Sequence, residues 1–213
     1  MSSTGAVVFE GDEPIEHGEA MQRRTLLLGN RLFLGANTMV MLAMLFAFLF
    51  LRSQNYGGMW RPDGIAGLAG VPMAIMLLLQ LGCLAAVLAA LSAAQRGTGW
   101  RSIGLVALVL ALVAGGVRVW YQFNLGDGWV ISTTTAAPDT PATGGTYAAV
   151  SEMWLGILIV EVLLGSLWLL SIVLPGPRAR DRGASTRHLR AFSEFWLYLL
   201  IVSTFVFLLI RLV

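Results

Sequence analysis

Residues 151–170 read SEMWLGILIVEVLLGSLWLL, and the reading of this stretch decides the fold. A bilayer core about 30 Å thick is crossed by about 20 helical residues at ~1.5 Å rise each, so the segment has the length and apolarity of a membrane span. Glu161 is its anomaly, with eight apolar or small residues before it and four after. A charge at mid-membrane costs about 2.5–3.5 kcal/mol on insertion scales, so such residues normally face protein or water. The carboxyl therefore either handles protons or holds helices together.

The stretch is not isolated. It belongs to a run over roughly 147–174, and four further runs of spanning length lie at roughly 28–52, 70–93, 102–123 and 192–213. Hydrophobic residues make up 57% of the 213-residue chain and charged residues 12%, about half the ~25% charge of an ordinary soluble domain. The expected fold is all-α, a five-helix transmembrane bundle forming a single domain over residues 21–213. Residues 1–20 carry Glu10, Asp12, Glu13, Glu16 and Glu19 with no lysine or arginine. They read as an acidic flexible cytoplasmic tail, without the basic start and short apolar run of a signal peptide.

Arginine placement orients the bundle, because loops rich in Arg and Lys stay on the cytoplasmic side. Arg23, Arg24 and Arg31 precede or open the first span, and Arg96 and Arg101 separate the second from the third. Arg178, Arg180, Arg182, Arg187 and Arg190 crowd the link between the fourth and fifth. The loop LGDGWVISTTTAAPDTPATGGT between the third and fourth has no basic residue, and the first loop holds only Arg52 and Arg61. With five spans, these facts agree on an amino terminus inside and a carboxyl terminus outside. Trp60, Trp100, Trp120 and Trp129 fall at span ends, where indole rings favour the headgroup region.

Several chemistries lack their parts. Cys83 is the single cysteine, so neither an intrachain disulfide nor a cysteine-based metal site is expected. His17 and His188 lie in polar segments, so no paired intramembrane histidines are available to hold a heme iron or a copper. No catalytic, cofactor-binding or metal-binding residue is expected in this chain. The arginines flank apolar spans instead of forming one basic face, which argues against nucleic acid as a partner.

On a common depth scale, Asn37 and Thr38 fall near the middle of the first span and Gln80 near the middle of the second. Glu161 is central in the fourth, as are Ser203 and Thr204 in the fifth. These six residues read as one buried polar layer between helices. A protonated Glu161 donating to the Asn37 or Gln80 carbonyl is the simplest tie, of a kind typically worth about 0.6 kcal/mol and up to 1–2. Arg118 lies about five residues inside the outer end of the third span, at a depth similar to Glu152 of the antiparallel fourth. An Arg118–Glu152 ion pair in the outer leaflet is the expectation, with snorkelling to the headgroups as the alternative. Gly115, Gly116, Gly156 and Gly165 offer places for close helix approach.

The first span, RLFLGANTMVMLAMLFAFLFLR, followed by Trp60 and Pro62, resembles the third helix of cytochrome c oxidase subunit III in the heme–copper oxidase superfamily. The resemblance continues in order through the helix with Pro72 and Gln80, the VWYQF segment at 119–123, TYAAVSEMWLGILIVEVLLG, and FSEFWLYLLIVSTFVFLLIRLV. Five spans match the short bacterial form of that subunit. At positions where the family carries ionisable residues, this chain differs. The leading-helix glutamate falls on Asn37, the glutamate of the aromatic motif on Gln122, the histidine pair on Leu158 and Glu161. A late Trp-His-x-x-Asp motif falls on Trp196, Leu197 and Leu200.

The resemblance implies a non-catalytic accessory subunit in the bacterial plasma membrane, packed against a catalytic subunit that holds heme and copper, alongside other membrane subunits. It also admits bound phospholipid. An accessory subunit of a nitric oxide reductase-type complex is the nearest alternative. A small proton-linked transporter or channel using Glu161 and Arg118 is another, although the chain shows neither the internal repeat nor the broken central helix common in transporters.

Overall fold

A computed structural model describes residues 15–54, 60, 70–129, 145–174 and 182–212. Each apolar run of the sequence is a helix: α1 (Ile15–Ser53), α2 (Gly70–Gln95), α3 (Trp100–Trp129), α4 (Gly145–Val173) and α5 (Arg182–Leu212). All five are long and apolar enough to cross a membrane, and no strand occurs among the described residues. The protein is an all-α, multi-pass membrane protein.

Two helices begin well before their apolar runs. α1 starts at Ile15 and α5 at Arg182, whereas hydropathy alone places their starts near 28 and 192. Hydropathy marks only the part suited to hydrocarbon. The backbone keeps its helical hydrogen bonds beyond it because they satisfy groups that otherwise need other partners. The 39 residues of α1 extend about 58 Å at ~1.5 Å per residue, far more than a bilayer core requires. Residues 15–20 of the acidic segment therefore belong to α1, while residues 1–14 lie outside the described residues. Likewise α3 continues to Trp129 and α4 begins at Gly145, which shortens the connection to 130–144, also outside them.

α2 packs on α3 and α5, α3 on α4, and α4 on α5, so these four close a ring; α1 lies outside it, against α4 and α5. In lipid, helices associate through close packing and polar contacts instead of a hydrophobic driving force. The α2–α3 pair follows this rule. Cys83, Ala90 and Ala94 of α2 and Ala107, Ala111 and Ala114 of α3 are buried, and the Cys83 thiol lies 3.3 Å from the Ala107 carbonyl as its donor. The larger Leu78, Leu81, Leu88, Leu105 and Leu112 of the same helices face outward. Between α4 and α5, Gly165 permits a similar approach, since a Cβ there would lie 2.8 Å from the Phe195 ring and 2.9 Å from Trp196. Gly115 is tight against Val162, but nothing lies within 4 Å of a Cβ at Gly116 or Gly156, so those two are not close-approach sites.

The turn between α2 and α3 depends on Gly97, whose φ is 73°. The left-handed residue lets the Gly97 amide reach the Ala94 carbonyl at 3.1 Å and the Thr98 amide reach Ala93 at 3.0 Å. This closes the free carbonyls at the helix end. At the opposite end of the bundle Phe48 contacts Trp60 and Trp154 at centroid distances of 5.0 and 5.2 Å, and the Tyr147 hydroxyl donates to the Ile210 carbonyl at 3.1 Å. Trp60 and Trp100 are buried, not exposed as headgroup anchors; of the span-end indoles Trp120 is exposed, and the Trp129 side chain lies outside the described residues.

Two substitutions test this packing. Gly97→Ala should lower unfolding stability in detergent by about 1–2 kcal/mol, the cost of holding an L-residue in the left-handed region, measured by circular dichroism on titration with sodium dodecyl sulfate. Gly165→Leu should destabilise more than Gly156→Leu, because only the former drives a side chain into two aromatic rings.

Candidate functional site

The candidate site is the set of buried and half-buried polar groups at mid-membrane, which falls into two clusters. The first joins α1 to α4 and α5. Asn37 Nδ2 donates to Glu161 Oε1. One residue on, the Thr38 hydroxyl bonds back to the Leu34 carbonyl at 2.7 Å and approaches the Tyr198 hydroxyl at 3.2 Å. Toward the start of α1, Asn30 donates to the Ala191 carbonyl at 3.0 Å, and Arg31 pairs with Glu194 at 3.6 Å in an exposed setting. The tie expected between Glu161 and Asn37 exists, with the amide as donor and the carboxyl as acceptor, the reverse of the expected direction.

The second cluster centres on Arg118 of α3, which is only 1% exposed. Its Nη1 donates to the Leu158 carbonyl of α4 at 3.2 Å. Its Nη2 donates to Ser203 Oγ of α5 at 3.1 Å and to Gln80 Oε1 of α2 at 3.4 Å. Gln80 Nε2 in turn donates to Ser203 at 3.4 Å, and Trp196 Nε1 donates to the Gln80 backbone carbonyl at 3.0 Å. The guanidinium carbon lies 5.4 Å from the Phe207 ring centroid, within range of a cation–π contact. One side chain thus binds three neighbouring helices.

The Arg118–Glu152 pair does not form, and Glu152 is exposed. Two causes combine. α3 continues eleven residues past Arg118, to Trp129, which sets the guanidinium deeper than a span ending at 123 implies. The α3–α4 registry then brings Arg118 to Leu158, more than a helical turn from Glu152. Neither a hydrogen bond nor an ion pair within 4.0 Å joins Arg118 to Glu161. Thr204 also stands apart. Its hydroxyl bonds to the Leu200 carbonyl of its own helix at 2.8 Å, the back-bonding open to any helical threonine. The six-residue layer is therefore two clusters and one self-satisfied threonine.

Sequence reading alone missed Tyr198 and Trp196 as polar partners. Their place in the same helix as Ser203 and Thr204, within about two turns before them, was the available signal, but an indole or phenol in an apolar helix reads equally well as core or interface. Glu161 Oε2 has no hydrogen-bond partner among the described residues, and Glu161 lines a groove of about 420 Å³ between α1, α4 and α5.

Fold and polar geometry together define a helical membrane protein whose buried charges lie between helices. Compared with known proteins, the chain matches no family model and no curated relative.

The Asn37–Glu161 tie has a direct test. Asn37→Leu and Glu161→Leu should each shift the unfolding midpoint in detergent, and the double variant should cost less than their sum by about 0.6–2 kcal/mol, the coupling found for interhelical hydrogen bonds.

Proposed function

We propose that this chain is a non-catalytic accessory subunit, similar to subunit III, of a respiratory heme–copper oxidase complex. It would pack against and stabilise the catalytic subunit, which would hold the hemes and copper. The observation that carries this reading is the Asn37–Glu161 hydrogen bond. These positions, 124 residues apart, are those at which the resembled family carries its leading-helix glutamate and one of its histidines. Their contact here fits a retained helix pairing whose chemistry has changed from ionisable partners to an amide and a carboxyl.

Other features support an adhesive role. Arg118 Nη1 and Nη2, Gln80 and Ser203 hydrogen-bond to one another or to backbone, so these groups are engaged in joining helices. Broad outward faces of Leu, Val and Phe suit permanent packing against another membrane protein or lipid. In this reading the amino terminus lies in the cytoplasm, the carboxyl terminus lies outside, and the membrane is the bacterial plasma membrane. The arginine-rich links argue for that orientation. The chain carries no electron; its work is to cover a flank of the catalytic subunit and exclude water from it.

Affinity purification of the chain after mild detergent extraction tests the proposal. A large heme protein with an a- or b-type optical spectrum should copurify and consume oxygen. Nitric oxide reduction by that complex would place the chain in the related reductase class, and recovery as a colourless homo-oligomer would overturn the reading in favour of transport. In the purified complex, Glu161→Gln should leave oxygen turnover and proton pumping near wild type, because an amide can still bond to Asn37.

A further inference from the structure

The two halves of α1 are held by different means. From residue 21 to 40, Asn30 is the only buried side chain among those described, whereas Met41, Met44 and Phe48 are buried beyond it. The first half reaches α4 and α5 mainly through polar contacts. Asn30 donates to the Ala191 carbonyl at 3.0 Å, Asn37 donates to Glu161, and the Thr38 hydroxyl approaches that of Tyr198 at 3.2 Å. Phe33 adds a ring contact with Phe195 at 6.2 Å. The Arg31–Glu194 pair, at 3.6 Å and largely exposed on its arginine side, belongs to a class that contributes little.

Close packing is sparse along this half. A groove of about 420 Å³ lies between Thr25, Gly29 and Phe33 of α1 and Leu164 and Trp168 of α4. A second, of about 300 Å³, follows Thr38 to Leu45 beside α5. Van der Waals packing is a principal adhesive between helices in lipid, and a seam bordered by grooves forgoes part of it. The seam closes at Phe48, which is fully buried. Phe48 meets Trp60 and Trp154 at 5.0 and 5.2 Å, Trp60 meets Tyr147 at 6.0 Å, and the Tyr147 amide donates to the Trp60 carbonyl at 3.0 Å. Neither α2 nor α3 restrains α1, which contacts only α4 and α5.

Such a helix is a lever anchored near its carboxyl-terminal end. Asn37 lies eleven residues from Phe48 and Asn30 eighteen, about 16 and 27 Å at ~1.5 Å per residue. A tilt of about 10°, small within the ~0–40° range of membrane helices, carries Asn37 by about 3 Å and Asn30 by about 5 Å. Both hydrogen bonds then break while Phe48 stays in place. We propose that α1 is a hinged cover that pivots on the Phe48 cluster. Its amino-terminal half leaves α4 and α5 while the four-helix ring stays closed, and Asn30 and Asn37 are its latches. Glu161, 6% exposed when α1 is docked, loses its hydrogen bond and is uncovered in the open state. The proposal concerns this chain alone and does not depend on the accessory-subunit reading.

Pulsed electron paramagnetic resonance on the full chain in lipid nanodiscs tests it, with Cys83→Ala removing the native thiol. Spin labels are carried by cysteines at pairs of outward-facing positions. Leu32 with Val106 reports the free half of α1, Leu49 with Phe123 its anchored end, and Leu88 with Leu167 the ring. The first pair should show a second, longer distance, and the other two pairs a single distance each. Asn30→Leu and Asn37→Leu should each raise the ratio of long to short distances about three- to twentyfold, the worth of one interhelical hydrogen bond. Ser203→Ala, which alters the ring, should leave that ratio unchanged. Thr38→Val, which removes the contact to Tyr198, should shift it in the same sense as the latch variants and serves if neither of them folds. A single distance for the first pair in the parent and in every latch variant would overturn the proposal. Equal broadening at Leu49 with Phe123, which would signify detachment of the whole helix, or an equal response to Ser203→Ala, would overturn it too.

Discussion

The guanidinium of Arg118 binds atoms of α2, α4 and α5 at once, and the four-helix ring depends on that junction. Lipid tails are as apolar as leucine, so burying leucines between helices gains little in a bilayer. Small-residue packing and polar contacts must supply what the hydrophobic effect supplies in water. An isolated cation at this depth would be costly. Arg118 lowers the cost by placing Nη1 and Nη2 on oxygen acceptors and its face near the Phe207 ring. The same contacts define helix registry, since a one-residue rotation of α2, α4 or α5 would remove an acceptor.

α1 is held differently. It contacts α4 and α5 but neither α2 nor α3, and it buries 17% of its most apolar window, against 33% to 44% for the other four. Its ties are few and polar, spread from Asn30 through Asn37 and Thr38, with an aromatic contact of Phe48 on Trp154 toward its other end. Grooves of about 420 and 300 Å³ flank it. The core ring and the outer helix therefore divide the labour: the ring maintains the fold, and the borders of α1 offer space to a partner or ligand.

The architecture was legible because spanning length and apolarity are read directly from residue type. Depth along each helix was legible too, which is why Asn37 with Glu161, and Gln80 with Ser203, were placed at matching levels and do meet. Rotation about the helix axis was not. α4 is apolar nearly all round, so no periodic stripe says that Glu161 faces α1 while Leu158 offers its carbonyl to α3. The same blindness paired Arg118 with Glu152, which faces outward, and counted Thr204 as a bridging group. The early starts of α1 and α5 escaped hydropathy because charged residues such as Arg187 and Arg190 continue a helix readily outside hydrocarbon.

A double-variant cycle between Arg118 and Ser203 tests the central claim most directly, because these two groups join α3 to α5 at the junction. Unfolding free energies would be measured in detergent for Arg118→Met, Ser203→Ala and the pair. If the junction holds the ring together, Arg118→Met is strongly destabilising and the two changes are non-additive by about 0.5–3 kcal/mol, as for residues in one hydrogen-bonded network. Additive effects, or an Arg118→Met variant as stable as the parent, would show that the buried cation is there for something other than adhesion.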